Sequence, residues 1–302
     1  MICPSSPLDD EALGRATAWV RHLGLEPEPL PSTRARGPHP YLAGTDAARA
    51  ADFTTAWCDD RYAAVWAARG GYGATRMLDL VDWRACARAG PKVLLGYSDV
   101  TCLHEAVAAR LGVASLHAPM VGSDRAAADE LGTAHLLATL FEPDSETARD
   151  LVGGADTTAR RPGRARGWLT GGNLSLLAAT IGTPSALGSH VGAIAVFEDV
   201  GEEPYRIDGY LTSMLRAGWF DGVVGVVLGD FTRCGPRHPV DAREDPSAAL
   251  DVCTERLAQL DVPLLSGLHI GHGPVNRTLA LGVAAALDAD AGSLVLTESA
   301  LI

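Results

Sequence analysis

The sequence predicts an α/β protein of two domains with a mostly parallel sheet, and three observations carry the prediction. Short apolar runs alternate with helical patterns through the first half of the chain, the arrangement that winds parallel strands through helical crossovers. At 302 residues and 47% hydrophobic content, the chain is long enough and apolar enough for two packed cores. The periodicity then lapses over residues 142–166, "EPDSETARDLVGGADTTARRPGRAR", where Gly, Pro, Thr and charge dominate. The expected organisation is an N-terminal domain over 1–141, a linker over 142–166 and a C-terminal domain over 167–302.

Each element follows from local pattern. Over 9–23, Leu13, Ala16, Val20 and Leu23 recur at helical spacing, with Asp9, Asp10 and Glu11 in the first turn and Gly24 just past the end. "YAAVWAARGG" at 62–71, "KVLLGYSD" at 92–99 and "VASLHAPM" at 113–120 read as strands, separated by helices near 74–80 and 100–111. The second half carries "GWLTGGNLSLLAATIGTP" at 167–184, a strand "VGAIAVFEDV" at 191–200 and a helix over 205–217. A strand "GVVGVVLGDF" at 222–231 and a Gly-rich stretch "GLHIGHGPVNRTLALG" at 267–282 complete it.

Composition excludes several functions. A formal net charge of −12 offers no general attraction to phosphate backbones or anionic lipid, so neither nucleic acid nor membrane is an expected partner. No basic n-region precedes a long apolar core and no window is apolar enough to span a bilayer, which predicts a cytoplasmic protein. The six cysteines, Cys3, Cys58, Cys86, Cys102, Cys234 and Cys253, form no C-x-x-C pair and read mostly as small buried hydrophobes rather than disulfides or zinc ligands.

The chemistry starts at "KVLLGYSDVT", residues 92–101, where an apolar strand turns into a helix through Ser98. A side chain at the C-terminal end of a parallel strand projects into the crevice where α/β proteins bind ligands, and the following helix offers unpaired N–H groups and the positive end of its dipole. Gly96 allows a close turn, although Val100 stands where a G-x-S-x-G elbow has its second glycine. Taken alone, the stretch reads more simply as an N-cap by Ser98 or Asp99.

A nucleophilic serine needs a base and an orienting acid. Of nine histidines, His22, His39, His135, His190 and His238 lie in polar or loop settings that suit solvation, and His104 and His117 stay open as neighbours of Ser98. His272 sits between Gly271 and Gly273, on a loop of the kind that holds catalytic side chains. Glu198 follows an apolar strand whose burial would be costly for a carboxylate unless it is paired, with Asp199 as the adjacent alternative or as a cap for a helix entering at Pro204.

These residues lie in a series of motifs: "RGGYGATRMLDLVDW" at 69–83, "GYSDVTCLHEAVAARLG" at 96–112, "GGNLSLLAATIGTP" at 171–184, "FEDVGEEPYRID" at 197–208 and "GHGPVNRTLALG" at 271–282. With "PSSP" at 4–7 and "YLAGTDAARAADF" at 41–53, the series resembles the LD-carboxypeptidase family of serine peptidases, which includes the microcin C self-immunity peptidases. The resemblance implies a flavodoxin-like N-terminal domain joined to a swivelling β/β/α domain, with the active site at their interface in a homodimer. It implies a catalytic Ser98, Glu198 and His272, and an oxyanion hole from the backbone N–H groups of Asp99 and of Gly71 or its neighbour Gly70. Neither metal nor cofactor is implied.

The activity implied is release of terminal D-alanine from murein tetrapeptide, with hydrolysis of peptidyl-adenylate conjugates as the alternative. The leaving residue carries a carboxylate, and Gly171, Gly172, Asn173 and Arg206 are the expected substrate contacts. Two readings outside this family are weaker: "RGGYG" lacks the spacing of a nucleotide loop, and a glutamine-amidotransferase-like enzyme would need cysteine at 98.

Overall fold

The computed structural model describes residues 1–236 and 247–301, so His238 lies outside the described residues. Eleven strands are described: β1 Ala64–Trp66, β2 Val93–Gly96, β3 Ser115–His117, β4 Thr158–Arg161, β5 Arg164–Asn173, β6 Ala193–Val200, β7 Gly225–Thr232, β8 Leu264–Ser266, β9 Leu279–Leu281, β10 Ala284–Asp288 and β11 Ser293–Leu296. They form a four-stranded sheet in the order β1-β2-β3-β9 and a seven-stranded sheet in the order β11-β10-β5-β6-β7-β8-β4. β1, β2 and β3 are parallel, as are β5 to β8, and the remaining strands are antiparallel to their neighbours. The mixed α/β, two-sheet architecture follows the alternation of strand and helix patterns.

The pleat decides which side chain meets which core, because successive residues of a strand face opposite ways. In β2, Leu95 joins the apolar cluster that lies between the two sheets, while Leu94 joins the cluster under helices Asp46–Cys58 and Thr101–Leu111. In β6, Ile194 and Val196 face the same inter-sheet cluster, whereas Ala195 and Phe197 pack beneath helices Leu174–Thr180 and Pro204–Arg216. Continuing that alternation aims Glu198 at the N-terminal half and Asp199 at the helical layer behind.

Several expectations change at the boundaries. Residues 142–166 are not a structureless linker: they contain the short helix Glu146–Arg149, all of β4 and the start of β5. Thr158 and Ala159 pair with Ser266 and Leu265 of β8, which the lack of apolar periodicity on an exposed edge strand concealed. The C-terminal half also returns to the first sheet, since β9 pairs antiparallel with β3. The first helix spans Asp10–His22 and is capped by Asp9, whose Oδ1 accepts from Ala12 N at 2.7 Å. All six cysteines are free thiols and five are buried. Among the described residues no helix is long and apolar enough to cross a membrane.

Candidate active site

The turn after β2 is strained at one residue. Ser98 adopts φ +63°, a left-handed conformation that costs a non-glycine residue on the order of 1–3 kcal/mol. Gly96 makes the turn possible, because a β-carbon there would lie 2.9 Å from Val100 Cγ1 and 3.0 Å from Ala67 Cβ. A 3₁₀ turn over Ser98–Val100 then leads into the helix Thr101–Leu111. Neither Ser98 nor Asp99 caps this helix with its side chain. Instead Asp99 turns inward, where its Oδ2 accepts from Ser5 Oγ at 2.6 Å and from Ala74 N at 2.8 Å, and burial pushes its carboxyl up. The serine is thereby tied to the first loop of the chain and to the loop after β1.

That second loop, "RGGYG", faces the serine through Gly70. A β-carbon on Gly70 would lie 3.2 Å from Ser98 Cβ and 3.3 Å from Oγ, whereas one on Gly71 (φ +107°) would collide with Ser6 Oγ. Buried Arg49 anchors the loop from behind, donating to Gly73 O at 2.7 Å and to Pro4 O, with Asp46 as its counter-ion.

β6 delivers the acid. Glu198 is completely buried, and its Oε2 lies 2.6 Å from His272 Nδ1. Its Oε1 accepts from Asn173 Nδ2 at 3.2 Å, and His117 Nε2 stands 3.9 Å away on that side. Burial alone would raise this carboxyl, but the His272 imidazole, with His117, holds it at about 2. Asp199 points the other way, accepting from Ser175 N at 2.8 Å and Asn173 Nδ2 at 3.0 Å; it serves the helix Leu174–Thr180, not one entering at Pro204. Burial and the charge of Glu198 push it up to about 6.

The His272 loop, between β8 and β9, is clamped at both ends. Asn276 Oδ1 accepts from Gly271 N at 2.9 Å, and Asn276 N donates to Asp129 Oδ2 at 2.7 Å, so a residue of the N-terminal half holds the loop of the C-terminal half. The His272 ring lies 4.8 Å from that of Tyr97, the neighbour of Ser98. The structure therefore brings the Ser98 turn and the Glu198–His272 pair together across the inter-sheet cleft.

Other expectations fare differently. Gly171 and Gly172, expected as substrate contacts, are both buried in β5, aligned with Val196 and Phe197 of β6. Asn173 is buried and bonds Glu198, Asp199 and Leu176 N. Arg206 lies on an exposed helix face, donating to Glu202 Oε2 at 2.5 Å and Tyr210 Oη at 2.9 Å. His135 and His190 are buried, not solvated; His190 stacks 3.9 Å from Trp219, and burial lowers both to about 4. His104 spends both nitrogens on Ser115 Oγ and Gly96 O.

Sequence reasoning missed Asp129 and Asp230, and left His117, which stands beside Glu198, undecided. Asp129 precedes a helix and reads as its cap, which it is, yet its second oxygen makes the clamp. Asp230, at the end of β7, packs so closely on Gly273 that a β-carbon there would collide with its carboxylate, and burial with the nearby Glu198 pushes it up to about 7.

The family model of the LD-carboxypeptidase N-terminal domain matches residues 1–118, and that of the LD-carboxypeptidase C-terminal domain matches 166–287. The chain belongs to the LD-carboxypeptidase family. A Streptomyces coelicolor protein provisionally named a carboxypeptidase is 46% identical over 302 residues, covering 100% of this chain and 93% of that one. The murein tetrapeptide carboxypeptidase of Pseudomonas aeruginosa is 31% identical over 300 residues, 95% of this chain and 92% of its own. The crystal structure of the muramoyltetrapeptide carboxypeptidase of Oxalobacter formigenes superposes with a TM-score of 0.81 at 27% identity, covering 98% of this chain and 96% of that one. This LD-carboxypeptidase family member is an enzyme of the peptidase class.

Proposed function

We propose that this chain is a serine carboxypeptidase that hydrolyses the L,D-peptide bond releasing terminal D-alanine from murein tetrapeptide, in cytoplasmic cell-wall recycling. The observation that carries the reading is the buried Glu198 carboxylate bound at 2.6 Å to His272 Nδ1, on the side of the cleft facing the strained Ser98 turn. Nδ1 bonded to a carboxylate keeps its proton, leaving Nε2 of neutral His272 as a base.

In this mechanism His272 Nε2 takes the Ser98 hydroxyl proton as Oγ attacks the scissile carbonyl. Glu198 stabilises the imidazolium that forms, in a site dry enough for that charge pair to count. The backbone N–H groups of Asp99 and Gly71 receive the oxyanion. Protonated His272 then gives its proton to the leaving amine of D-alanine, and water, deprotonated by the same imidazole, releases the acyl group from Ser98.

Mass spectrometry after incubation with murein tetrapeptide tests the reading, with a peptidyl-adenylate as a parallel substrate. Loss of one D-alanine from the tetrapeptide is expected. Turnover of the adenylate alone would replace this reading with the immunity-type activity, and cleavage of neither would end both.

A further inference from the structure

A carboxypeptidase must recognise the carboxylate of the residue it removes, and desolvating that anion requires a cation or a cluster of N–H donors. The groups suggested by sequence are committed elsewhere: Arg206 to Glu202 and Tyr210, and Gly171 and Gly172 to the buried interior of β5. The cation has to come from another part of the cleft.

Arg69 has the required position. It lies in the loop after β1, which is fixed on either side of it: Ala68 O accepts from Gly122 N at 2.9 Å, and Gly70 O accepts from Ser6 N at 3.2 Å. Its neighbour Gly70 is the residue packed against Ser98, so the Arg69 Cα stands one residue from the contact with the nucleophile. The side chain is exposed and steadied by one bond, from Nη1 to Pro7 O at 2.7 Å.

Its guanidinium is not neutralised by a carboxylate among the described residues, a setting it shares with Arg34, Arg84, Arg233 and others, so its place beside Gly70 is what sets it apart. Acidic residues outnumber basic ones by 37 to 25, and Arg15, Arg61, Arg76, Arg149, Arg164, and Arg206 each meet a carboxylate. Arg69 meets none among the described residues; a backbone carbonyl holds its guanidinium and leaves the rest of the fork open. A planar fork with two parallel N–H donors matches a carboxylate, and its fixed protonation suits a pH-independent anchor.

We infer that Arg69 binds the terminal carboxylate of the peptide and makes the enzyme selective for a free C-terminal residue. This rests on the carboxypeptidase reading above and names a specificity residue for it.

The experiment compares kcat/KM on the tetrapeptide and on its C-terminal amide for the wild type, Arg69→Met, Arg69→Lys and Arg233→Met, the last removing another exposed arginine, just past the end of β7. A charge-assisted hydrogen bond contributes about 1.5–3 kcal/mol, so the wild type should prefer the acid by about 10–100-fold. In Arg69→Met the rate on the acid should fall by that factor and the rate on the amide far less, so that the preference collapses. Arg69→Lys should keep part of it and Arg233→Met all of it.

Full preference retained in Arg69→Met, or lost in Arg233→Met alone, overturns the inference. So does an equal loss on both substrates, which would mean that Arg69 only holds the loop. A wild type that cleaves acid and amide equally well also overturns it while leaving a hydrolase, and one that cleaves neither overturns the carboxypeptidase reading along with it. Should Arg69→Met fail to fold, as judged by circular dichroism, Arg69→Lys and Arg69→Gln carry the same comparison.

Discussion

Gly271 and Glu198 are in direct contact: a β-carbon on Gly271 would lie 2.5 Å from Glu198 Oε2 and 2.7 Å from its Cβ. The same oxygen holds His272 Nδ1, so the glycine is where the loop can approach the acid closely enough to place the base. At φ +115° an L side chain is strained as well. Gly271→Ala should therefore lower kcat by about 100-fold, the scale of a misplacement near 1 Å, with KM little changed. Steady-state kinetics on the tetrapeptide check this, and a variant of wild-type rate would show that the acid–base contact does not depend on the glycine.

Ser98→Ala and His272→Ala should each remove essentially all hydrolysis, because members of a triad act as a unit. Glu198→Gln should lose about 10³–10⁴-fold, since an amide keeps the shape but neither fixes the tautomer nor stabilises the imidazolium. Asp199→Asn should be much milder, because Asp199 serves the turn into the helix Leu174–Thr180 and not His272. A reversed order of the two carboxylate variants would assign the acid to Asp199.

The alternation of strand and helix patterns made the fold class legible, and the glycines around Ser98 and His272 marked both turns. The choice of Glu198 over Asp199 rests on the direction of one strand face, which becomes definite only once Ile194 and Val196 are seen in the inter-sheet cluster. What stayed hidden depends on contacts across long sequence separations. Asp129 lies 147 residues from Asn276, and its local pattern says only that it caps a helix. β4, "TARR", has no apolar face to betray it, and Arg206 looked available because a sequence does not show that Glu202 and Tyr210 occupy it.

Stability should carry a pH signature from Glu105. This residue of the nucleophile helix is buried and accepts from Leu187 N at 3.2 Å, and burial raises its carboxyl to about 7. The folded state holds the proton where the unfolded chain has released it, so stability falls as pH rises from the ordinary carboxyl range, near 4.3, to about 7. Glu198 acts in the opposite sense: held at about 2, it contributes stability above the ordinary range that is lost only as pH falls toward 2. Glu105→Gln should remove the loss on the alkaline side and raise Tm at pH 8, by about 2–4 °C per kcal/mol regained. Thermal melts at pH 5 and pH 8 decide it; an equal shift at both would mean that Glu105 is not protonated in the folded protein.

Chelation provides a separate check on the chemistry. A serine activated by imidazole needs no Lewis acid, so EDTA should leave kcat and KM unchanged. Inactivation reversed by zinc would replace the serine mechanism with a metal-dependent one.

Asn173 distinguishes substrate binding from positioning. As a substrate contact it would affect KM, but its side chain is spent inside the protein: Nδ2 reaches both Glu198 Oε1 and Asp199 Oδ1, Oδ1 caps the helix Leu174–Thr180 through Leu176 N, and the backbone N donates to Thr101 Oγ1 at 3.0 Å. One residue thereby links the acid, a helix start and the helix that follows Ser98. Asn173→Ala should lower kcat with KM nearly constant, and the lost cap should cost about 1 kcal/mol of stability. Asn173→Asp should keep the cap yet place a third carboxyl beside Glu198 and Asp199, so its stability should fall as pH rises and this carboxyl ionises. The comparison of the two variants is the test. A large rise in KM with kcat preserved in Asn173→Ala would return the residue to the substrate site.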